Sequence, residues 1–133
     1  MAHKRWDETL ASEVLRGAQR RLHRGWTSGH QGRTHQGDPV PPEHPEAASW
    51  CAFGAIRAEC MARFPERPWE GHLLAEATAR YVGSALRQRG APILKQSAPR
   101  TLMEWNDCPA RSQDEVLAIY EQTLLALTQP QHR

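Results

Sequence analysis

The side chains able to do chemistry in this sequence are three cysteines, seven histidines and two polar blocks built around tryptophan. The first block, Trp50-Cys51-Ala52-Phe53-Gly54-Ala55, puts a thiol at the opening of a segment that reads as a helix. The positive end of a helix dipole favours thiolate, the nucleophilic form of cysteine. A nucleophile of this kind needs a base, and His30, His35, His44 and His72 supply imidazoles, with His44 the nearest before the block. Asp107 or Asn106 has the chemistry to orient such an imidazole. Against this stands a plainer role for Cys51, a small apolar residue packed between helices, since its neighbours are all small or aromatic.

The second block is Trp105-Asn106-Asp107-Cys108-Pro109-Ala110-Arg111-Ser112. Asn and Asp hold turns by bonding nearby backbone amides, and Pro109 fixes the exit. The same polar pair beside an indole also suits the grip of a small polar ligand or of a partner's backbone. Five tryptophans, Trp6, Trp26, Trp50, Trp69 and Trp105, stand against two Phe and two Tyr. Each flanks a helix end or a loop, where an indole anchors the loop and its N–H reaches a carbonyl. Trp26 and Trp69 are the pair expected to be exposed, as an interface or a stacking platform.

Metal chemistry finds little support. No HxxxH or CxxC spacing occurs, and His30 and His35 are five apart in a loop. No phosphate-binding loop is readable either, so neither metal nor cofactor is expected. Cys51 and Cys60, nine residues apart, fall on opposite sides of a helix and cannot pair. Free thiols and a reducing, cytoplasmic setting are the expectation.

Helices must position these groups. Leu10, Val14, Leu15, Ala18 and Leu22 mark an amphipathic helix from about Asp7 to Arg24, with Arg16, Arg20 and Arg24 on its other face and Gly25 as a left-handed cap. Residues 26–45, rich in Gly and Pro, form a long loop; Gln36-Gly37-Asp38 has the turn chemistry to fold Thr27–Thr34 back against a segment ending near Val40. A central helix rich in small residues starts at Pro45 and ends before Pro65 and Pro68. The third runs from Gly71 to Arg89, its apolar face including Leu73, Leu74, Val82 and Leu86. Thr101 and Glu104 have capping-box spacing for a short helix ending near Trp105, and Ser112 with Glu115 repeats it before a last helix, Gln113–Thr128. A frayed tail covers 129–133.

The 133 residues carry 17 Lys+Arg and 15 Asp+Glu, a formal charge of +2, and 39% hydrophobic residues. That describes one domain with a small core. No apolar run is long enough for a membrane span, and the first residues lack the apolar core of a secretory leader. The near-balance hides alternation: 1–35 and 71–100 are basic, 36–70 and 101–133 acidic. Attraction between helices of opposite sign is the simplest use of that pattern. A nucleic-acid surface would require Arg16, Arg20 and Arg24 to share a face with Arg80 and Arg87.

With Arg24-Gly25-Trp26, Trp50–Ile56 (WCAFGAI) and Trp105–Leu117 (WNDCPARSQDEVL) in this order, the sequence resembles a family of small, functionally uncharacterised bacterial and phage-borne proteins. The resemblance implies one mainly helical domain and a shared site or core around Trp50, Cys51, Trp105, Asn106 and Asp107. It implies no reaction. Thr27 follows Trp26 where relatives often carry cysteine, so a thiol pair involving that position is absent.

The expectation is an all-α bundle of four main helices and one short helix spanning 1–133, with the Gly/Pro loop able to close a small hairpin. The preferred function is a non-enzymatic interaction or regulatory protein, encoded by a phage or mobile element, that binds a protein partner through Trp26, His30, His35, Trp69, Trp105, Asn106 and Asp107. Two alternatives stay open: an enzyme with Cys51 as nucleophile, and a nucleic-acid binder using the two Arg rows.

Overall fold

The computed structural model describes residues 8–92 and 97–129. Trp6, the opening at Asp7, part of the 91–99 connector and the tail beyond Gln129 lie outside the described residues. Among the described residues five helices surround one core: α1 Glu8–Arg24, α2 Ala52–Arg63, α3 Pro68–Gln88, α4 Ala98–Asn106 and α5 Gln113–Thr128. Between α1 and α2 lie two short strands, β1 Gly32–Arg33 and β2 Ser49–Trp50, paired antiparallel. The expected count of four main helices and one short one holds, α4 being the short one.

Helix α1 buries Ala11, Val14, Leu15, Ala18 and Leu22, spaced at helical steps, against α2 and α5. Arg21, His23 and Arg24 in its last turn complement the helix dipole. Two ion pairs bind α1 to α2, Arg21–Glu59 at 2.7 Å and Glu13–Arg63 at 3.4 Å. The first has the sense that the charge alternation suggests, a base of the basic segment on an acid of the acidic one, and the second has the opposite sense. Helix α3 packs on α2, α4 and α5, and Tyr120 of α5 is wholly buried with its hydroxyl donating to the Ala52 carbonyl.

One helix cap and three helix starts depart from the sequence reading. Gly25 is not among the residues in the left-handed region; it is required because a Cβ there would stand 2.3 Å from the Ala48 carbonyl oxygen. The central helix begins at Ala52, not Pro45, because Ser49–Trp50 is drawn into the sheet: Trp50 N–H donates to Gly25 O, and Cys51 N–H to Gln31 O. Helix α3 starts at Pro68, which opens the helix as its first residue besides ending the previous one. The buried stripe of α3 is accordingly Leu74, Ala75, Ala79, Val82 and Leu86, and Leu73 is exposed. The short helix is capped by Ser97, whose hydroxyl accepts from Arg100 N–H, and Thr101 is buried within it. The second capping box stands as read, with Ser112 and Glu115 bonded reciprocally.

The Gly/Pro loop is ordered. Thr34 N–H donates to Asp38 O and Val40 N–H to Gly32 O, closing a hairpin shorter than expected around Gly37, whose φ of 92° is left-handed. Gly32–Arg33 is thereby paired on both edges, with Pro39–Val40 on one side and Ser49–Trp50 on the other.

Candidate functional site

The two tryptophan blocks meet. Asn106, the last residue of α4, has no solvent exposure, and all its hydrogen-bonding capacity is used. Its Oδ1 accepts from Trp26 Nε1 at 2.7 Å and from the Ala52 amide at 2.9 Å. Its Nδ2 donates to Thr27 O at 3.1 Å and to Asp107 Oδ1 at 3.0 Å, and Asp107 Oδ1 also takes the Gly29 amide at 2.9 Å. One side chain thus ties the end of α4 to the loop after α1 and to the first residue of α2. Arg33 fastens the same loop from outside, donating to Thr27 Oγ1, Ser28 O and Gly37 O.

Cys51 precedes α2 as its N-cap, and its Sγ accepts from Gly54 N–H at 3.2 Å. The amides of Gly54 and Phe53 favour the thiolate, as a helix N-terminus should, but burial outweighs them and pushes the thiol up to about 11. Cys60 is likewise pushed up by burial, to about 12. Both are thiols at neutral pH. Cys108 is exposed, and all three cysteines are unpaired.

The expected nucleophile, base and orienter are therefore engaged separately. His44 is exposed, and its Nδ1 accepts from the Glu46 amide. Asp107 is occupied by Gly29 and Asn106, and Cys51 faces the α2 amides. No group of three or more potential metal ligands occurs among the described residues.

The residues expected to bind also divide. Trp26 is half-buried and spent on Asn106, which removes it from the expected exposed pair; Trp69 is 59% exposed on α3. Trp105 is half-buried with the Arg111 guanidinium 4.0 Å from its ring centre. His30 is exposed beside Gly29.

His35 and His44 do converge, on an open cleft of about 470 Å³ between the end of α1 and the 35–50 segment. Arg21, Arg24, Glu43, Ala47, Ala48 and Trp50 also line it. Trp50 is its floor, buried, with Nε1 donating to Pro42 O at 2.8 Å and the guanidinium groups of Arg21 and Arg24 at 5.4 and 5.3 Å from its ring. Of the five expected nucleic-acid arginines, Arg24 alone joins the cleft; Arg16, Arg20, Arg80 and Arg87 are exposed elsewhere on α1 and α3. Arg21 and Glu43 were not anticipated as lining, and the WCAFGAI block was the one sequence signal pointing to Trp50.

A model for DUF6197, a family of unknown function, matches residues 7–124, a span that takes in α1 to α4 and α5 as far as Leu124. The chain belongs to the DUF6197 family. Both tryptophan blocks and the cleft of this DUF6197 protein fall inside the matched span. No curated protein and no solved structure matches it. No helix among the described residues is long and apolar enough to cross a membrane.

Proposed function

We propose that this DUF6197 protein is a non-enzymatic interaction protein that receives a segment of a partner protein in the cleft between α1 and the 35–50 segment. The carrying observation is the division of labour within residues 25–51. Inward groups are consumed by Asn106, Asp107 and Arg33, while His35, Glu43 and His44 line an open cavity. A loop held by these side chains as well as by its own backbone hydrogen bonds serves as a rigid rim. The Cys51 reading draws no comparable support, because its thiol is buried and its proposed base and orienter are bonded elsewhere.

The test is photo-crosslinking in the cells that make the protein, with a photoreactive residue at Pro45, an exposed residue on the cleft wall, and, as control, at exposed Leu125 on α5. A discrete protein adduct from position 45 that disappears in an Arg24→Glu background is the expected result. Identical adducts from both positions, or none from position 45, would refute the proposal.

A further inference from the structure

We infer that the group recognised in this cleft is a phosphomonoester. The inference rests on reading the cleft as the binding site and goes on to name the chemistry it takes. Two guanidinium groups, Arg21 and Arg24, are gathered over one indole, Trp50. Gathering like charges costs free energy unless counter-charges are close. Arg21 has one, since its Nε donates to Glu59 at 2.7 Å. Glu43, the acid lining the cleft, faces Arg57 at 3.2 Å. Arg24 has no carboxylate within ion-pair distance among the described residues, and the C-terminal dipole of α1 offsets its charge only in part.

The histidines complete the donor set. His44 Nδ1 accepts from the Glu46 amide, so the neutral ring carries its proton on Nε2 and keeps that donor for another acceptor. His35 stands on the same lining. A carboxylate is satisfied by one guanidinium, two oxygens to two N–H groups. A phosphomonoester offers three terminal oxygens and up to two negative charges, which suits a guanidinium and two imidazoles arriving from α1 and from two turns of the loop. The volume of about 470 Å³ exceeds what one phosphate fills and leaves room for the group that bears it.

The phosphate can come from a phosphorylated partner side chain or from a free phosphorylated metabolite, and titration separates the two. The probes are a phosphoserine peptide, the same peptide with serine or glutamate at that position, inorganic phosphate and adenosine monophosphate. Each is titrated calorimetrically into the whole protein and into Arg24→Ala, Arg24→Lys and His35→Ala variants. Arg24 and His35 are exposed, so the variants keep the fold, checked by circular dichroism.

The expected result is that a phosphate-bearing probe binds, that Arg24→Ala weakens it about tenfold or more, and that Arg24→Lys restores part of the loss. Added salt weakens binding as well. Preference for the phosphopeptide over both free phosphates identifies a modified partner, and equal or tighter binding of a free phosphate identifies a metabolite. Equal binding of the glutamate peptide, an unchanged affinity in Arg24→Ala, or no binding of any phosphate probe overturns the inference. An adduct at position 45 that survives saturating phosphopeptide also overturns it while leaving the partner reading intact; phosphate binding without any adduct does the reverse.

Discussion

Replacing Asn106 by alanine tests the central physical claim, that one buried amide holds the loop, α2 and α4 together. The substitution removes the acceptor for Trp26 Nε1–H and for the Ala52 amide, and the donor to Thr27 O. Each buried polar group left unpaired costs about 1–3 kcal/mol. Trp26 is half-buried and regains some water, so the three together come to roughly 3–6 kcal/mol. Against a total stability of about 5–15 kcal/mol for a domain, that is a large fraction. Urea unfolding at 25 °C, followed by tryptophan fluorescence and by circular dichroism, measures it. Trp26→Phe is the companion variant: it removes one donor while Asn106 Oδ1 keeps the Ala52 amide, and its expected cost is about 1 kcal/mol. In the double variant the two costs should fall short of additivity, because the shared bond is lost once. A loss below about 1 kcal/mol in Asn106→Ala, or strict additivity with Trp26→Phe, would refute the reasoning.

Further outcomes follow from the same geometry. A thiol reagent near pH 8 should modify Cys108 alone in the native protein, Cys51 and Cys60 reacting only on unfolding; rapid native labelling of Cys51, read by peptide mass, would contradict its burial. A thiol held above its ordinary value of 9.0 stabilises the fold below that pH and loses the contribution as pH rises through the folded value. Stability should therefore fall between pH 9 and about 11, by about 3 kcal/mol for Cys51, and the fall should shrink in Cys51→Ala. Gly54→Ala should destabilise by more than ~2 kcal/mol, since its Cβ would stand 2.1 Å from the backbone carbonyl oxygen of Gln31; a neutral thermal shift would show that the loop can withdraw. Ser112→Ala breaks the capping box of α5 and should cost about 1 kcal/mol in the same urea assay.

Helical periodicity made α1 and α5 legible to within a residue or so, because their apolar stripes and end signals are local properties of the chain. The start of α2 was hidden for the opposite reason. Ala47 and Ala48 continue the small-residue pattern of Ala52, Gly54 and Ala55, and nothing local tells them apart; pairing with Gly32–Arg33 and with Gly25 makes Ser49–Trp50 extended. Leu73 misled in the same way, an apolar residue at a helical step on a face that no described element covers. Within the site, the family resemblance singled out Trp50, Cys51, Trp105, Asn106 and Asp107 as a group. The side chains of Trp50 and Cys51 bond within eight residues of themselves, but those of Asn106 and Asp107 depend on partners about 50 to 80 residues away, in Ala52, Trp26 and Gly29, a relation that composition and spacing do not encode. The convergence of Arg21 and Arg24 with His35 and His44 was invisible for the same reason.

The tie at Asn106 also separates what the fold depends on from what it leaves free. Of its four bonds, two involve other side chains, those of Trp26 and of the adjoining Asp107; the Ala52 amide and the Thr27 carbonyl are backbone groups that any residue would provide. Trp50 likewise anchors itself on the Pro42 carbonyl. The frame is thus largely indifferent to the side chains on its outer surface, and exchanges at 35, 43, 44 and 46 leave these anchoring bonds untouched. One scaffold of this kind can carry many different outer surfaces without refolding.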